Sequence, residues 1–314
     1  MKKAVCLGNF APSYGMHEDI ALALGGLGWS VTRLQTNATS TRQIVEACKD
    51  AEMLLWIGSH GRRPEGNIEA MLNTFAMMGI ETVGLHFDLH WGAHEREHLV
   101  GVDPFWKCKH VFTCDKNNDE RFKARGVNHH YIQPAVGERW LGRGKFRPEL
   151  ACDVTFVGVR RHFTNWPYRR TLIEWLEETY GDRFRHYGGS SKLGRIWGND
   201  LSDLYASAKV VVGDACNPNF ALRGYWSDRI PQTLGRGGFL IHPAVPEMDA
   251  AGFVNGKTLV TYEYKKLDQL KALIDSWITN EAGRREITER GMKLVAGRHT
   301  QTHRVKEILE VVGL

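Results

Sequence analysis

The chain has 314 residues, 42% hydrophobic and 25% charged, a length that suits two domains of about 150 residues each. No apolar run is long enough to span a bilayer, and the start, MKKAVCLGNF, lacks the apolar segment and cleavage site of a signal peptide, so a cytoplasmic location without membrane insertion is expected. Six scattered cysteines with no C-x-x-C pair speak against a disulfide framework or a zinc ribbon, and the formal charge of +5 mildly favours anionic partners such as nucleotide sugars or nucleic acid.

In chain order, residues 3–8 predict a strand, 8–15 a loop and 17–27 a helix closed by Gly-Leu-Gly. Strands at 29–34, 53–57 and 81–87 then alternate with helices at 40–50 and 67–78, the second capped by Asn67 and ended by Gly79. Strand 110–114, helix 117–125 and strand 129–134 complete a first half. Residues 136–151 carry glycines, basic residues and a proline without periodicity and are expected to be the linker, which places the boundary between domains 1–145 and 146–314. The alternation restarts with strands at 153–158, 183–187, 209–213, 239–241 and 258–262, between helices at 168–180, 201–207 and 228–236. Three helices, 267–280, 283–296 and 300–311, finish the chain, and the last is expected to cross back to the first half. Alternating strands and helices imply right-handed crossovers and parallel sheets covered on both faces, an α/β class with two similar halves.

Two short motifs invite readings that their context weakens. His94-Glu95-Arg96-Glu97-His98 fits H-E-x-x-H, two imidazoles a helical turn apart with a glutamate to activate zinc-bound water. Its intervening pair is charged, however, and the segment leaves a parallel strand as a loop. Residues 252–258, GFVNGKT, resemble a phosphate-binding loop but are one residue short between the glycines and precede a strand rather than a helix. No G-x-G-x-x-G follows the first strand, and no Asp-x-Asp occurs.

Three strand-end sites remain, because ligands of doubly wound sheets bind beyond the carboxyl ends of the strands. After strand 153–158, Arg160 and Arg161 lead to Trp166, a set suited to neutralising a diphosphate and stacking on a base or sugar. After strand 81–87, Asp88 can accept the proton of an attacking hydroxyl, with His90 and Trp91 beside it and Tyr14 on the first loop and His17 at the start of the first helix as further acceptor-side candidates. The sharpest stretch is residues 223–243, RGYWSDRIPQTLGRGGFLIHP. Here Tyr225 and Trp226 precede Ser227, the expected N-cap, and Arg229 sits in the first turn. Free amides, a helix dipole and a guanidinium together suit a phosphate, with Asp214 on the neighbouring loop.

As an ordered set these residues resemble the CgeB/YkvP-like glycosyltransferases of GT-B architecture. The matching positions are Lys209 to Gly213, Ser227, Arg229, Gln232, Leu234, Gly237 and Gly238, the strand from Phe239 to Ile241, and His299, Thr300 and Arg304. The resemblance covers roughly residues 150–310 and implies two Rossmann-like domains with a cleft between them, an N-terminal acceptor domain and a C-terminal donor domain. It implies transfer of a sugar from a nucleotide-diphosphate donor to a hydroxyl, with no obligatory cofactor or metal. Arg229, with Arg160 or Arg161, would then neutralise the departing diphosphate, and Asp88 would be the base of an inverting reaction. Where the family commonly has a glutamate for the donor ribose, this chain has Gln232, which keeps hydrogen bonding but loses the charge-assisted bond. The acceptor classes open at this point are a polysaccharide, a protein, a small metabolite and hydroxymethylated bases in double-stranded DNA. The competing functions are a zinc hydrolase using His94, Glu95 and His98, and a non-catalytic nucleotide-sugar binding protein.

Overall fold

The computed structural model describes residues 1–58, 62–92, 96–161, 166–215 and 223–314. The chain divides into two compact units, Met1–Gln133 together with Gln301–Leu314, and Pro134–Thr300.

In the first unit the strands are β1 (Lys3–Gly8), β2 (Ser30–Gln35), β3 (Met53–Ile57), β4 (Glu81–His86), β5 (His110–Thr113) and β6 (His129–Tyr131), and the intervening helices are α1 (Met16–Gly26), α2 (Thr41–Cys48), α3 (Ile68–Met78) and α4 (Asp119–Lys123). All strands pair in parallel in the order β2-β1-β3-β4-β5-β6. The helix starts follow local chemistry. Ser40 and Gln43 form a reciprocal capping box on α2, and the Asn67 side chain accepts the Ala70 amide at the start of α3. Gly79, at φ 72°, closes α3 in the left-handed conformation. Val5, Leu7, Leu54 and Trp56 alternate onto one face and pack with Ile44, Leu72 and Phe75 from α2 and α3.

The second unit contains β7 (Cys152–Val157), α5 (Tyr168–Tyr180), β8 (Phe184–Tyr187), α6 (Gly198–Ser207), β9 (Ala208–Val212), α7 (Arg229–Gly235), β10 (Leu240–Pro243), β11 (Val260–Tyr262), α8 (Leu267–Thr279) and α9 (Glu281–Arg298). Its parallel sheet runs β11-β10-β9-β7-β8. The two-residue period divides the core into two layers. Val154, Phe156, Val210 and Val212 pack with Leu172 and Leu176 of α5 and Leu270 of α8, whereas Val211 and Leu240 pack with Leu204 of α6 and Leu234 of α7. The final helix, α10 (Gln301–Val312), lies in the first unit and packs on α1, and the Arg304 Nε donates to the Gln133 carbonyl.

The units divide at Gln133–Pro134 rather than at the expected 145–146, and the reason is local. Residues 136–151 are tied to the second unit, where the Lys145 amide donates to Asp203 Oδ1 and the Arg147 amide to Ser207 Oγ, each at 2.8 Å. Val136 and Thr300 form a parallel bridge just inside that unit. An irregular sequence thus marks a packed irregular segment, because its backbone groups find side-chain partners on α6.

Each sheet reverses strand order once. In the first the chain steps from β2 across β1 to β3, and in the second from β8 across β7 to β9. In doubly wound sheets, ligands bind beyond the carboxyl ends of the strands at such a switch point.

Candidate functional site

In the second unit, Arg229 spans the switch point. Its Nε and Nη2 donate to the Val157 carbonyl at the end of β7, at 3.3 and 2.9 Å, and its Nη1 donates to the Asp214 carbonyl just beyond β9, at 3.0 Å. The guanidinium also lies 5.0 Å from the Phe156 ring centroid. Among the described residues, three of its five N–H groups take these carbonyls, which leaves two for another acceptor on a half-buried cation. Gly158 permits the arrangement: at φ 150° it bears no side chain, and a Cβ there would lie 2.8 Å from Arg229 Nη2.

The surrounding candidates fall into different roles. Ser227 is not the cap of α7, since Asp228 occupies that position without a side-chain cap bond, and the Ser227 hydroxyl donates instead to the Asp214 carbonyl at 3.3 Å. The local reason is that this hydroxyl completes the same strand-end carbonyl that Arg229 uses. Asp214 is fully buried, and its carboxylate accepts the Trp166 indole N–H at 3.1 Å and Arg169 Nε at 2.6 Å. Burial opposes ionisation, but the Arg169 and Arg229 guanidiniums and the indole outweigh it and hold the carboxyl below its ordinary range. Asp214 therefore fixes α5 to β9 rather than presenting a free carboxylate. Trp166 stacks on Tyr264 with ring centroids 5.4 Å apart and is buried, so it is a wall of the fold and not an open stacking platform. Trp226 is likewise core, packed edge-on against Phe253, and Tyr225 is buried beside it in sequence.

Arg160 pairs with Glu177 of α5 at 2.9 Å, and its amide donates to Ser190 Oγ, whereas Arg161 is exposed. Gln232 is half-buried, and its Oε1 accepts Arg236 Nε at 3.2 Å. Cys216, Asn217 and Pro218, which follow Asp214 on the same loop, lie outside the described residues.

In the first unit, His17 follows the end of β1 and accepts the Asn9 amide on Nδ1 at 2.8 Å, so its proton resides on Nε2. Gly8 makes room, because a Cβ there would lie 2.5 Å from that ring. Burial, reinforced by the Arg62 charge, pushes the His17 pKa down to about 4. The ring is thus a neutral N–H donor at neutral pH. A histidine whose folded pKa is depressed favours the fold fully above its unfolded pKa near 6.5 and loses that contribution as pH falls towards 4. A ¹⁵N titration is expected to show the Nε2–H tautomer persisting to about pH 5, and a midpoint near 6.5 would refute this packing.

Asp88 is partly exposed, with Arg96 Nη1 at 3.3 Å and His86 Nδ1 at 3.9 Å from its Oδ2. Its loop is anchored by Asp115, two residues beyond the end of β5, a strand-end position that no motif marked. Asp115 takes the His90 and Trp91 amides at 2.9 and 3.2 Å, and burial raises its carboxyl to about 6 despite these bonds. His90 packs edge-on against His86 and Trp106. Trp91 is buried on Phe122 beneath the Arg121 guanidinium, which makes it a packing residue rather than an acceptor surface. Tyr14 is exposed on the first loop.

The zinc reading requires His94 and His98 on one helical face. His94 and Glu95 lie outside the described residues, and His98 occupies a single 3-10 turn, Glu97–Leu99. Among the described residues no cluster of three His, Cys, Asp or Glu side chains has metal-binding geometry. No described helix is long and apolar enough to cross a membrane.

Residues 160–310 match the family described as glycosyl transferase-like. No curated protein sequence matches the chain. Among solved structures, sucrose-phosphate synthase from Thermosynechococcus elongatus is 11% identical, with 99% of this chain and 98% of that chain covered and a TM-score of 0.61. The Anabaena HepE protein in complex with UDP and glucose is also 11% identical, covers both chains fully and has a TM-score of 0.61. An α-glucosyltransferase in complex with UDP and a 13-mer DNA containing an HMU base is 8% identical over the whole of both chains, with a TM-score of 0.69. At these identities the likeness is one of fold. The chain has the GT-B fold, two parallel-sheet α/β units, and residues 160–310 match the glycosyl transferase-like family.

Proposed function

We propose that the protein is a glycosyltransferase that moves a sugar from a nucleotide-diphosphate sugar to a hydroxyl acceptor, with the donor on the second unit and the acceptor on the first. The observation that carries this reading is Arg229 at the switch point between β7 and β9, within the stretch that matches the transferase family. Two remaining N–H groups on a fixed guanidinium suit the oxygens of a diphosphate leaving group, whose charge grows as the sugar–oxygen bond breaks. The solved structures with this fold that hold UDP, and in one case DNA as well, support the same donor class and make duplex DNA a natural member of the acceptor panel. No cofactor beyond the donor is required by the chemistry.

On the first unit, Asp88 is the base for a hydroxyl acceptor, and the neutral His17 Nε2–H is a donor to acceptor oxygens. Arg96 pairs with the Asp88 carboxylate at 3.3 Å and sets it in place. Asp88→Asn is expected to slow transfer about 10²- to 10⁴-fold while nucleotide-sugar affinity stays within about twofold. A loss below about tenfold would remove Asp88 from the base role.

The direct test is a panel of nucleotide sugars scored for thermal stabilisation and slow release of nucleoside diphosphate, followed by transfer to free sugars, sugar phosphates, polysaccharide and hydroxymethylated duplex. At least one donor is expected to stabilise the protein and turn over. Stabilisation without release or transfer on any acceptor would favour a binding protein. Stoichiometric zinc together with chelator-sensitive hydrolysis would favour the hydrolase.

A further inference from the structure

A second feature of the first unit lies at the carboxyl edge of its sheet. A recess of about 70 Å³ opens beyond β3 and β4, lined by Trp56, Arg62, Arg63, His86, His90 and Arg96 among others. Asp103, the one acid among its described lining residues, pairs with Arg63 at 2.6 Å and accepts the Phe105 amide. Arg96 is balanced by Asp88. Arg62 has no ion-pair partner among the described residues, so three guanidiniums meet two carboxylates. Trp56, whose ring is buried, forms part of the wall of the recess. Gly58 at the end of β3 keeps the recess open to His86, since a Cβ there would lie 2.6 Å from that ring.

We propose that this recess binds a terminal phosphate of a small phosphorylated acceptor. The proposal rests on reading the first unit as the acceptor half. The lining presents N–H donors and an excess positive charge, so its ligand is an acceptor-only oxyanion. The volume admits one phosphate head group, whereas an internal phosphodiester would have to bring a nucleoside on each side into the same space. A phosphate held here anchors the substrate beside Asp88, one salt bridge away through Arg96, and leaves a hydroxyl of the same molecule for transfer.

The test titrates inorganic phosphate into the full chain with nucleoside diphosphate present in excess, following the Trp56 indole N–H by ¹H–¹⁵N correlation, assigned with Trp56→Phe. Saturable shifts of that resonance are expected, weakened at least about tenfold in Arg62→Gln and unchanged in Arg143→Gln, a basic residue of the other unit. Shifts that spare Trp56, or equal affinity in Arg62→Gln, overturn the site. The second arm compares a sugar phosphate with its unphosphorylated parent and with hydroxymethylated duplex. A preference for the sugar phosphate that falls at least about tenfold in Arg62→Gln is expected, and transfer to the duplex alone overturns the proposal. The titration needs no turnover, so a failed donor reading leaves it standing, and its own failure leaves the donor reading standing.

Discussion

Arg229→Ala is expected to weaken nucleotide-sugar binding about 30- to 100-fold and to destabilise the second unit by about 2–3 kcal/mol. The two losses share one cause. The guanidinium satisfies the Val157 and Asp214 carbonyls, and the same rigid fork presents its remaining N–H groups to the diphosphate. Arg229→Lys separates the two effects, because an ammonium keeps the charge but cannot span both strand ends. It is expected to recover part of the affinity and little of the stability. Calorimetry with the best donor and urea unfolding measure the two terms, and unchanged affinity in the alanine variant would remove Arg229 from the donor site.

Asp214→Asn is expected to cost about 3–5 kcal/mol, the usual penalty for leaving one partner of a buried ion pair uncompensated, and to lower Tm by roughly 10 °C. Arg169 would then sit buried without its carboxylate, and the Trp166 indole would lose half of a charged acceptor. The pH dependence carries the same information. A carboxyl whose folded pKa is depressed stabilises the fold fully above the unfolded value of 3.8 and loses that contribution as pH falls through the folded value. The wild type is therefore expected to lose stability at the acid end by an increment that Asp214→Asn lacks. Denaturant midpoints at neutral and acid pH read this difference. Asp214→Asn stability equal to wild type would return Asp214 to the ligand-facing role expected from its position.

The α/β pattern was legible because the strands are short apolar runs separated by capped helices. Met53–Ile57 and Tyr168–Tyr180 occupy the predicted residues, and Asn67 and Gly79 delimit α3 through the chemistry read from their side chains. The boundary at 133–134 was not legible, because an irregular segment gives no sign of whether its amides face water or α6. The strand-end rule located Asp88, Arg160, Asp214 and Arg229 at carboxyl edges, but it cannot tell a ligand-facing side chain from one consumed by the fold. That distinction depends on partners distant in sequence, as Asp214 with Arg169 and Arg160 with Glu177 show. Aromatic residues misled for the same reason: Trp91, Trp166 and Trp226 look available beside arginines and are buried. The fixed tautomer of His17 also depends on a close approach at Gly8, which no local pattern announces.

The donor site is the central claim, and the most direct measurement is a crystal structure of the protein soaked with the nucleotide sugar that stabilises it best. The expected result is a diphosphate within hydrogen-bond distance of Arg229 Nη1 or Nη2, against Gly158. The second unit offers a competing location, a basic cavity of about 500 Å³ at the amino edge of β7 and β9 lined by Arg143, Lys209, Arg284 and Arg285. A nucleotide found there, with the Arg229 edge empty, would contradict the account.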